Sequence, residues 1–361
     1  MPRITVPAAF IRGGSSKGVF FHARDLPADP EERDALFLRV LGSPDPYRRQ
    51  LDGMGGGVSS VSKAVIISPS PRNDADIDYT FAQVSVDRPE VDYSATCGNL
   101  SAAVGPFAVD EGLVGAHDGE ALVRVFNTNT QKTYHVRFPV KDGQALEEGD
   151  FEIPGVAGSG ARVTLDFVEP GGAATGALLP TGNPRDRLEV EGAGALDASL
   201  VDAVGAVVYV AAADMGYTGA ESPDALDADA GLLARLDAVR RAGAVAMGMA
   251  SRPSDAALAA PRVALVVPPA PFTAIDGAHH DAGGHDLTMR IISMEQFHKV
   301  VTLSGAMCVG VAAQIEGTIP HELAIENARP LRIGNPSGVL PVAAEVEKND
   351  ARGWHAKSAT V

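Results

Sequence analysis

Apolar and polar residues alternate over short stretches through most of this chain, the period-2 pattern of half-buried strands. It predicts strands over residues 3–10, 19–22, 64–67, 79–86, 122–127, 133–139 and 163–168. A turn follows at 178–184, and the pattern resumes over 188–190, 206–211, 262–267 and 286–292. Helical spacing is rarer. Leu36, Phe37, Val40 and Leu41 share one helix face, bounded by Pro30 and Gly42. The longest helical stretch covers 224–250, with Leu232, Leu233, Leu236, Val239 and Val245 on one stripe. The restart after the turn divides the chain into two domains, 1–184 and 185–361.

Two segments leave the alternation in the same way. Ser94-Ala95-Thr96-Cys97-Gly98-Asn99 is a polar turn that runs into a small-residue apolar segment carrying Leu100, Val104, Phe107 and Val109. That is a loop entering a helix, with Pro106 predicting a kink or a delayed start. Free amides at Gly98 and Asn99 would point at whatever binds there, and the positive helix end would favour an anion. A carboxylate and a proton-transferring Cys97 could share that spot. The other reading of Cys97 is a small cysteine buried before a helix. Residues 302–313 repeat the form, with Ser304-Gly305 opening a second small-residue helix. Two halves built this way suggest a pseudo-twofold molecule whose helix starts face each other across a cleft.

Composition narrows the partners. The 361 residues carry a formal charge of -16, which argues against nucleic acid. With 45% hydrophobic but only 5% aromatic residues, the cores must be aliphatic, and 39 Gly and 25 Pro suit a turn-rich, strand-rich fold. Cys97 and Cys308 imply no disulfide framework, so a reducing cytoplasm is expected. The first residues lack a signal-peptide pattern, and no apolar run is long enough to span a bilayer. Two glycine-rich stretches remain. Arg12-Gly13-Gly14-Ser15-Ser16-Lys17-Gly18 is a hairpin or an anion loop, without P-loop spacing. Residues 50–62 lead into the strand at 64–67, which puts Lys63 where a flexible loop meets a strand. Lys63 is solvated there unless it faces Cys97. His279, His280, Asp281 and His285 could form a metal site, but Ala and Gly flank them and nothing rigid fixes the rings, so none is expected.

Seven motifs occur together, in order, across nearly the whole chain: Arg12–Gly18, Gly42-Ser43-Pro44-Asp45, Asp52-Gly53-Met54-Gly55-Gly56, Ser62-Lys63, Cys97-Gly98-Asn99, Pro180-Thr181-Gly182-Asn183 and Asn335-Pro336-Ser337-Gly338. In this the chain resembles the PrpF-like family of 2-methylaconitate isomerases, oxalomesaconate tautomerases and methylitaconate or aconitate Δ-isomerases. The resemblance implies the α/β (α+β) fold of diaminopimelate epimerase: two pseudo-symmetric domains, each with strands wrapped around a central helix, and a cofactor-free site between them. Three departures stand out. Ser15 stands where the family usually has Thr, Val204-Gly205-Ala206 stands where it has a Gly-Asn-Pro turn, and relatives usually continue past the equivalent of Val361 into an Arg-containing terminal helix. The second cysteine of the epimerases aligns near Thr302, which leaves Cys308 as a helix core residue.

The implied chemistry is a proton shift, cis-trans or allylic, on an unsaturated di- or tricarboxylate such as 2-methylaconitate, aconitate or oxalomesaconate. Lys63 is the first candidate for the acid/base, and must lose its proton to act. Cys97 is the second. Ser15, Ser16, Gly55, Gly56, Gly98, Asn99, Thr181, Asn183, Ser304 and Gly305 are the expected substrate-binding positions. Lys17, Arg290 and His298 are the expected cations, His298 equally readable as an ordinary structural histidine. No metal or organic cofactor is expected, and a homodimer is compatible with the reading. The alternatives are a two-base amino-acid racemase or epimerase and a non-catalytic polycarboxylate-binding protein.

Overall fold

The computed structural model describes residues 5–93, 96–192, 194–258, 260–293, 295–349 and 353–361. In the first unit, Met1–Leu165, β1 (Ala9–Gly13) and β2 (Ser16–His22) form an antiparallel hairpin. β2 runs parallel to β3 (Lys63–Pro69), and β3 antiparallel to β4 (Ile77–Val84). β4 runs parallel to β5 (Gly119–Asn127), which pairs antiparallel with β6 (Lys132–Lys141). Two helices cover opposite faces. α1 (Pro30–Leu41) packs Phe37 and Leu41 on Val19, Phe21, Ala64, Ala82 and Val84. α2 (Gly98–Asp110) lies on the other face, where Phe107 meets Phe20 at 5.5 Å. Strand side chains alternate between faces. Phe20, Ser16 and Gly18 therefore look to α2, and so, by register, do Lys63, Val65, Phe81 and Gln83.

The second unit, Asp166–Val361, repeats the plan after a preceding strand, β7 (Asp186–Val190). β8 (Gly194–Ala203) and β9 (Gly205–Ala211) form the hairpin, and β9 runs parallel to β10 (Arg262–Val267). β10 is antiparallel to β11 (Leu287–Ser293), which is parallel to β12 (Leu331–Asn335). β13 (Gly338–Asn349) and β14 (Gly353–Thr360) complete it, antiparallel throughout. The alternation of parallel and antiparallel pairs along β8–β13 matches that along β1–β6. The central helix here is α5 (Leu303–Ala312), buried along nearly its whole length. The outer face is covered by α3 (Pro223–Asp227) and α4 (Ala230–Ala246), with Leu232, Leu236 and Val239 on Val208, Val210, Val263 and Leu265.

Several expectations need correction. The first strand begins at Ala9 rather than at 3 and runs to Gly13, because pairing with β2 sets its limits; Met1–Ile4, Ser94 and Ala95 lie outside the described residues. The helix expected over 224–250 is two helices: Asp229 interrupts it and caps the second by accepting from the Leu232 amide at 2.9 Å. α2 starts at Gly98 and runs through Pro106 without a break, its apolar face held by the core. The two compact units are Met1–Leu165 and Asp166–Val361, beside the division at 184/185 that the sequence pattern suggests. Asp166, Phe167 and Val168 already pair with Thr360, Ala359 and Ser358, a long-range contact that local pattern cannot show. His279–His280 forms a short strand with Phe272–Thr273 rather than a loop. Among the described residues, no helix is long and apolar enough to cross a membrane.

Candidate active site

The polar side chains of the first unit converge where α2 begins. The two-residue turn Gly14–Ser15 joins β1 to β2. Gly14 has φ +52, and a Cβ there would strike the Asn99 side chain at 2.3 Å, so the turn can rest directly on the first turn of α2. The Ser15 amide donates to Asn99 Oδ1 at 3.4 Å. Ser16 is buried, and the Cys97 thiol donates toward its Oγ at 3.9 Å. Cys97 is the N-cap of α2, with extended dihedrals and no side-chain cap bond. Its carbonyl accepts from Tyr79 Oη at 3.3 Å and from Ser101. Burial, with Cys97 nearby, pushes the Tyr79 hydroxyl well above its ordinary value, so it stays a donor. Thr96, just ahead, accepts from Asn127 Nδ2 at 2.5 Å.

Lys63 is the first residue of β3 and only 7% exposed. Its Nζ donates to Gln83 Oε1 at 2.6 Å and lies 4.9 Å from the centre of the Phe81 ring. Burial pulls the amine below the ordinary lysine value, and the neighbouring Cys97 opposes that shift. Gly18 makes the approach possible: a Cβ there would meet the Lys63 carbonyl at 2.9 Å and Leu100 at 3.0 Å. The glycine-rich loop before Lys63 is tied down by the buried Gln50. Gln50 donates to Ser43 and Ser62 and accepts from the Gly57 amide, while Ser62 donates to the Val84 carbonyl.

Lys63, Cys97, Ser15, Ser16, Gly98 and Asn99 are thus brought together. Lys17 is not with them. Strand alternation turns it to the other face, and its Nζ sits 5.1 Å over the Phe10 ring. Gly55 and Gly56 lie against Gln50 and Val61. In the second unit, Thr181 and Asn183 both donate to the Asp186 carboxylate, at 2.7 and 2.9 Å. Arg290 is 1% exposed, donates to the carbonyls of Glu221 and Met289, and lies over Phe272. Burial lowers it to about 10. Ser304 and Gly305 occupy the first turn of α5, where Thr302 Oγ1 accepts from the Gly305 amide at 3.2 Å. Burial, then the charge of Arg262, pull His298 down to about 4. Cys308 is buried inside α5, donates toward the Val201 carbonyl, and is pushed up to about 12 by burial.

The histidines go separate ways. His280 stacks on Phe272, His285 shares a 2.7 Å hydrogen bond with Thr288, and His279 pairs with Asp281. No group of three His, Cys, Asp or Glu placed to hold a metal occurs among the described residues. Sequence reasoning missed Gln83, Gln50, Tyr79 and Arg262. A polar residue on the inward face of a strand was the signal for Gln83, but its partner follows only from register.

The sequence matches the family described as PrpF protein over residues 3–360. The chain belongs to the PrpF family. Among curated PrpF relatives, a 2-methyl-aconitate isomerase of Cupriavidus necator is 44% identical, over 99% of this chain and 94% of its own length. A crystal structure of a methylitaconate-delta-isomerase is 40% identical, with TM-score 0.86 over 98% of this chain and 92% of that one. A hydroxyproline epimerase of Agrobacterium vitis shares the fold alone, at 12% identity and TM-score 0.52 over 98% of this chain and 89% of that one. The PrpF fold is thus an epimerase-type α/β fold, as the strand-wrapped central helices indicate.

Proposed function

We propose that this protein is an isomerase that moves a proton on an unsaturated di- or tricarboxylate, with Lys63 as the acid/base and Cys97 beside it. One observation carries the reading. Lys63 is a buried amine whose hydrogen-bond acceptor is a neutral amide rather than a carboxylate, near Cys97, an ionisable residue at a helix start without a side-chain cap. An amine so placed can give up its proton, as general base work requires. Removing a proton from the carbon next to a conjugated carboxylate yields an extended enolate. Return of the proton to the far carbon shifts the double bond; rotation before return changes its geometry. Neither outcome changes the oxidation level, so no electron donor or acceptor is needed.

The start of α2 suits the negative end of such a substrate. Its first amides carry no side-chain cap, and the helix field favours an anion there. The names of the relatives point the same way, since both act on unsaturated polycarboxylates. A two-base epimerase is disfavoured because the N-cap of the second central helix is Thr302, which cannot serve as a thiolate.

The test is solvent exchange. Aconitate, 2-methylaconitate, itaconate, methylitaconate and oxalomesaconate are offered in deuterated water, and the isomer formed is examined for deuterium at carbon. Wild type should convert at least one and label it. Lys63→Ala, shown folded by circular dichroism, should do neither; labelling at the wild-type rate by that variant would remove Lys63 from the mechanism.

A further inference from the structure

The Lys63–Gln83 contact carries a consequence beyond the assignment of the base. The two residues are direct cross-strand partners in the β3–β4 ladder, so their side chains leave the sheet on the same face. Phe81, two residues along β4, flanks them. Gln83 has little freedom. Its Nε2 donates to the Ser62 carbonyl at 2.9 Å and to the Ser59 carbonyl at 3.1 Å. Both are acceptors only, and turning the amide over would set oxygen against oxygen. The amide oxygen is therefore obliged to face Lys63.

A fixed neutral acceptor serves both forms of an amine, because an ammonium and a free amine can each donate one hydrogen to it. A carboxylate in the same place would hold the ammonium and resist its deprotonation. We propose that Gln83 is the positioning residue for Lys63: it anchors Nζ at one point through the proton-transfer cycle while adding no charge that would lock the proton on. The proposal rests on Lys63 being the proton carrier.

Among the described residues, each neighbouring element presents a named group to the amine. From α2 the facing group is Cys97. From β2 the neighbour is Gly18. From β4 come Gln83 and Phe81. In the short strand Val91–Asp92, antiparallel to β4, Asp92 lies opposite Gln83 in register. Two strand spacings separate Asp92 from Lys63, roughly 10 Å.

The experiment follows two variants of the full-length protein with opposite expected effects. Gln83→Glu should move the rising limb of kcat/KM against pH upward by about 1–3 units, because a carboxylate favours the ammonium. Gln83→Met removes the acceptor and should move that limb downward, with kcat falling and KM little changed. A purely structural role would not shift the two profiles in opposite directions. In parallel, the Lys63 amine is titrated by NMR in 15N-lysine-labelled protein, its signal assigned by its loss in Lys63→Ala. Opposite shifts of that midpoint in the two variants support the proposal. An unmoved midpoint in folded Gln83→Met overturns it, even where Gln83→Glu fails to fold. A midpoint that moves while the activity limb stays in place upholds the hold of Gln83 on Lys63 and rejects Lys63 as the proton carrier, so the two failures remain distinct.

Discussion

The starts of α2 and α5 occupy the same position in two copies of one strand order, yet they carry different chemistry. Lys63 opens the strand that runs parallel to the second hairpin strand of the first unit, and Arg262 opens its counterpart in the second. Each lies beside a glycine of that hairpin strand: Gly18 meets the Lys63 backbone, and a Cβ on Gly205 would lie 3.4 Å from the Arg262 guanidinium and 3.8 Å from Ser304. Cys97 caps α2 without a side-chain bond, whereas Thr302 closes the first turn of α5 on the Gly305 amide. A lysine can be made to give up its proton; an arginine keeps its own in a protein. A thiol can ionise; a threonine hydroxyl caps. The duplicated scaffold supplies equivalent positions, and the side chains decide that the first unit sets a buried amine near a thiol while the second holds a fixed positive charge beside a neutral His298.

The largest test of this contrast is Lys63→Ala, which should lower kcat by at least about 10²-fold, the lower range for a general acid/base. Activity near wild type in that variant would erase the distinction between the two starts. Cys97→Ser sharpens it on two axes. Turnover should fall, by less than in Lys63→Ala, because a hydroxyl remains without an ionisable thiol. Stability to urea should rise, by up to about 1 kcal/mol, because serine supplies the cap oxygen that α2 lacks. A drop in stability would show that the thiol holds the helix start by packing.

His298 makes a third test, read on wild type. Its folded value of about 4 lies below its ordinary value of 6.5, so the unfolded chain takes up the proton first as the solution is acidified. This contribution is complete above pH 6.5 and is lost as pH falls toward 4, by up to roughly 3 kcal/mol at 1.36 kcal/mol per unit. His298→Gln should flatten the stability profile across that window; an unchanged slope would mean His298 is not the group responsible. The smallest effect is expected for Thr302→Ala, which should cost about 1 kcal/mol of stability through the lost cap. A loss of turnover as large as that of Lys63→Ala would instead give the α5 start a part in the chemistry.

Much of the fold is legible in the order of the residues. Alternation locates most strands of both units, and the polar-turn-to-small-residue pattern marks both central helices, because burial against a sheet requires small apolar side chains all round. The errors lie where local pattern and long-range pairing part company. Residues 224–250 keep helical spacing through Asp229, but the side chain of Asp229 prefers to cap, and the stretch forms two helices. The strand Thr164–Val168 reads as the end of the first half, yet three of its residues pair near the far end of the chain. Lys17 resembles a substrate cation because it sits among Gly and Ser, but strand alternation sends it to the opposite face from Ser16.

By itself, the sequence determined the period of each element, most helix ends with their caps and glycines, and the placing of Lys63 after a glycine-rich loop and of Cys97 before a Gly-Asn helix start. These are short-range matters, settled by residues two to four apart along the chain. Only the tertiary structure decided that Lys63 is buried, that its acceptor is Gln83 and not a carboxylate, that Cys97 meets Ser16, and that Arg262 stands where Lys63 stands in the other unit. Each of those depends on strand register, and register is a contest between distant segments: a slip of one residue would turn Lys63 away from α2 and Cys97 without altering a single local preference.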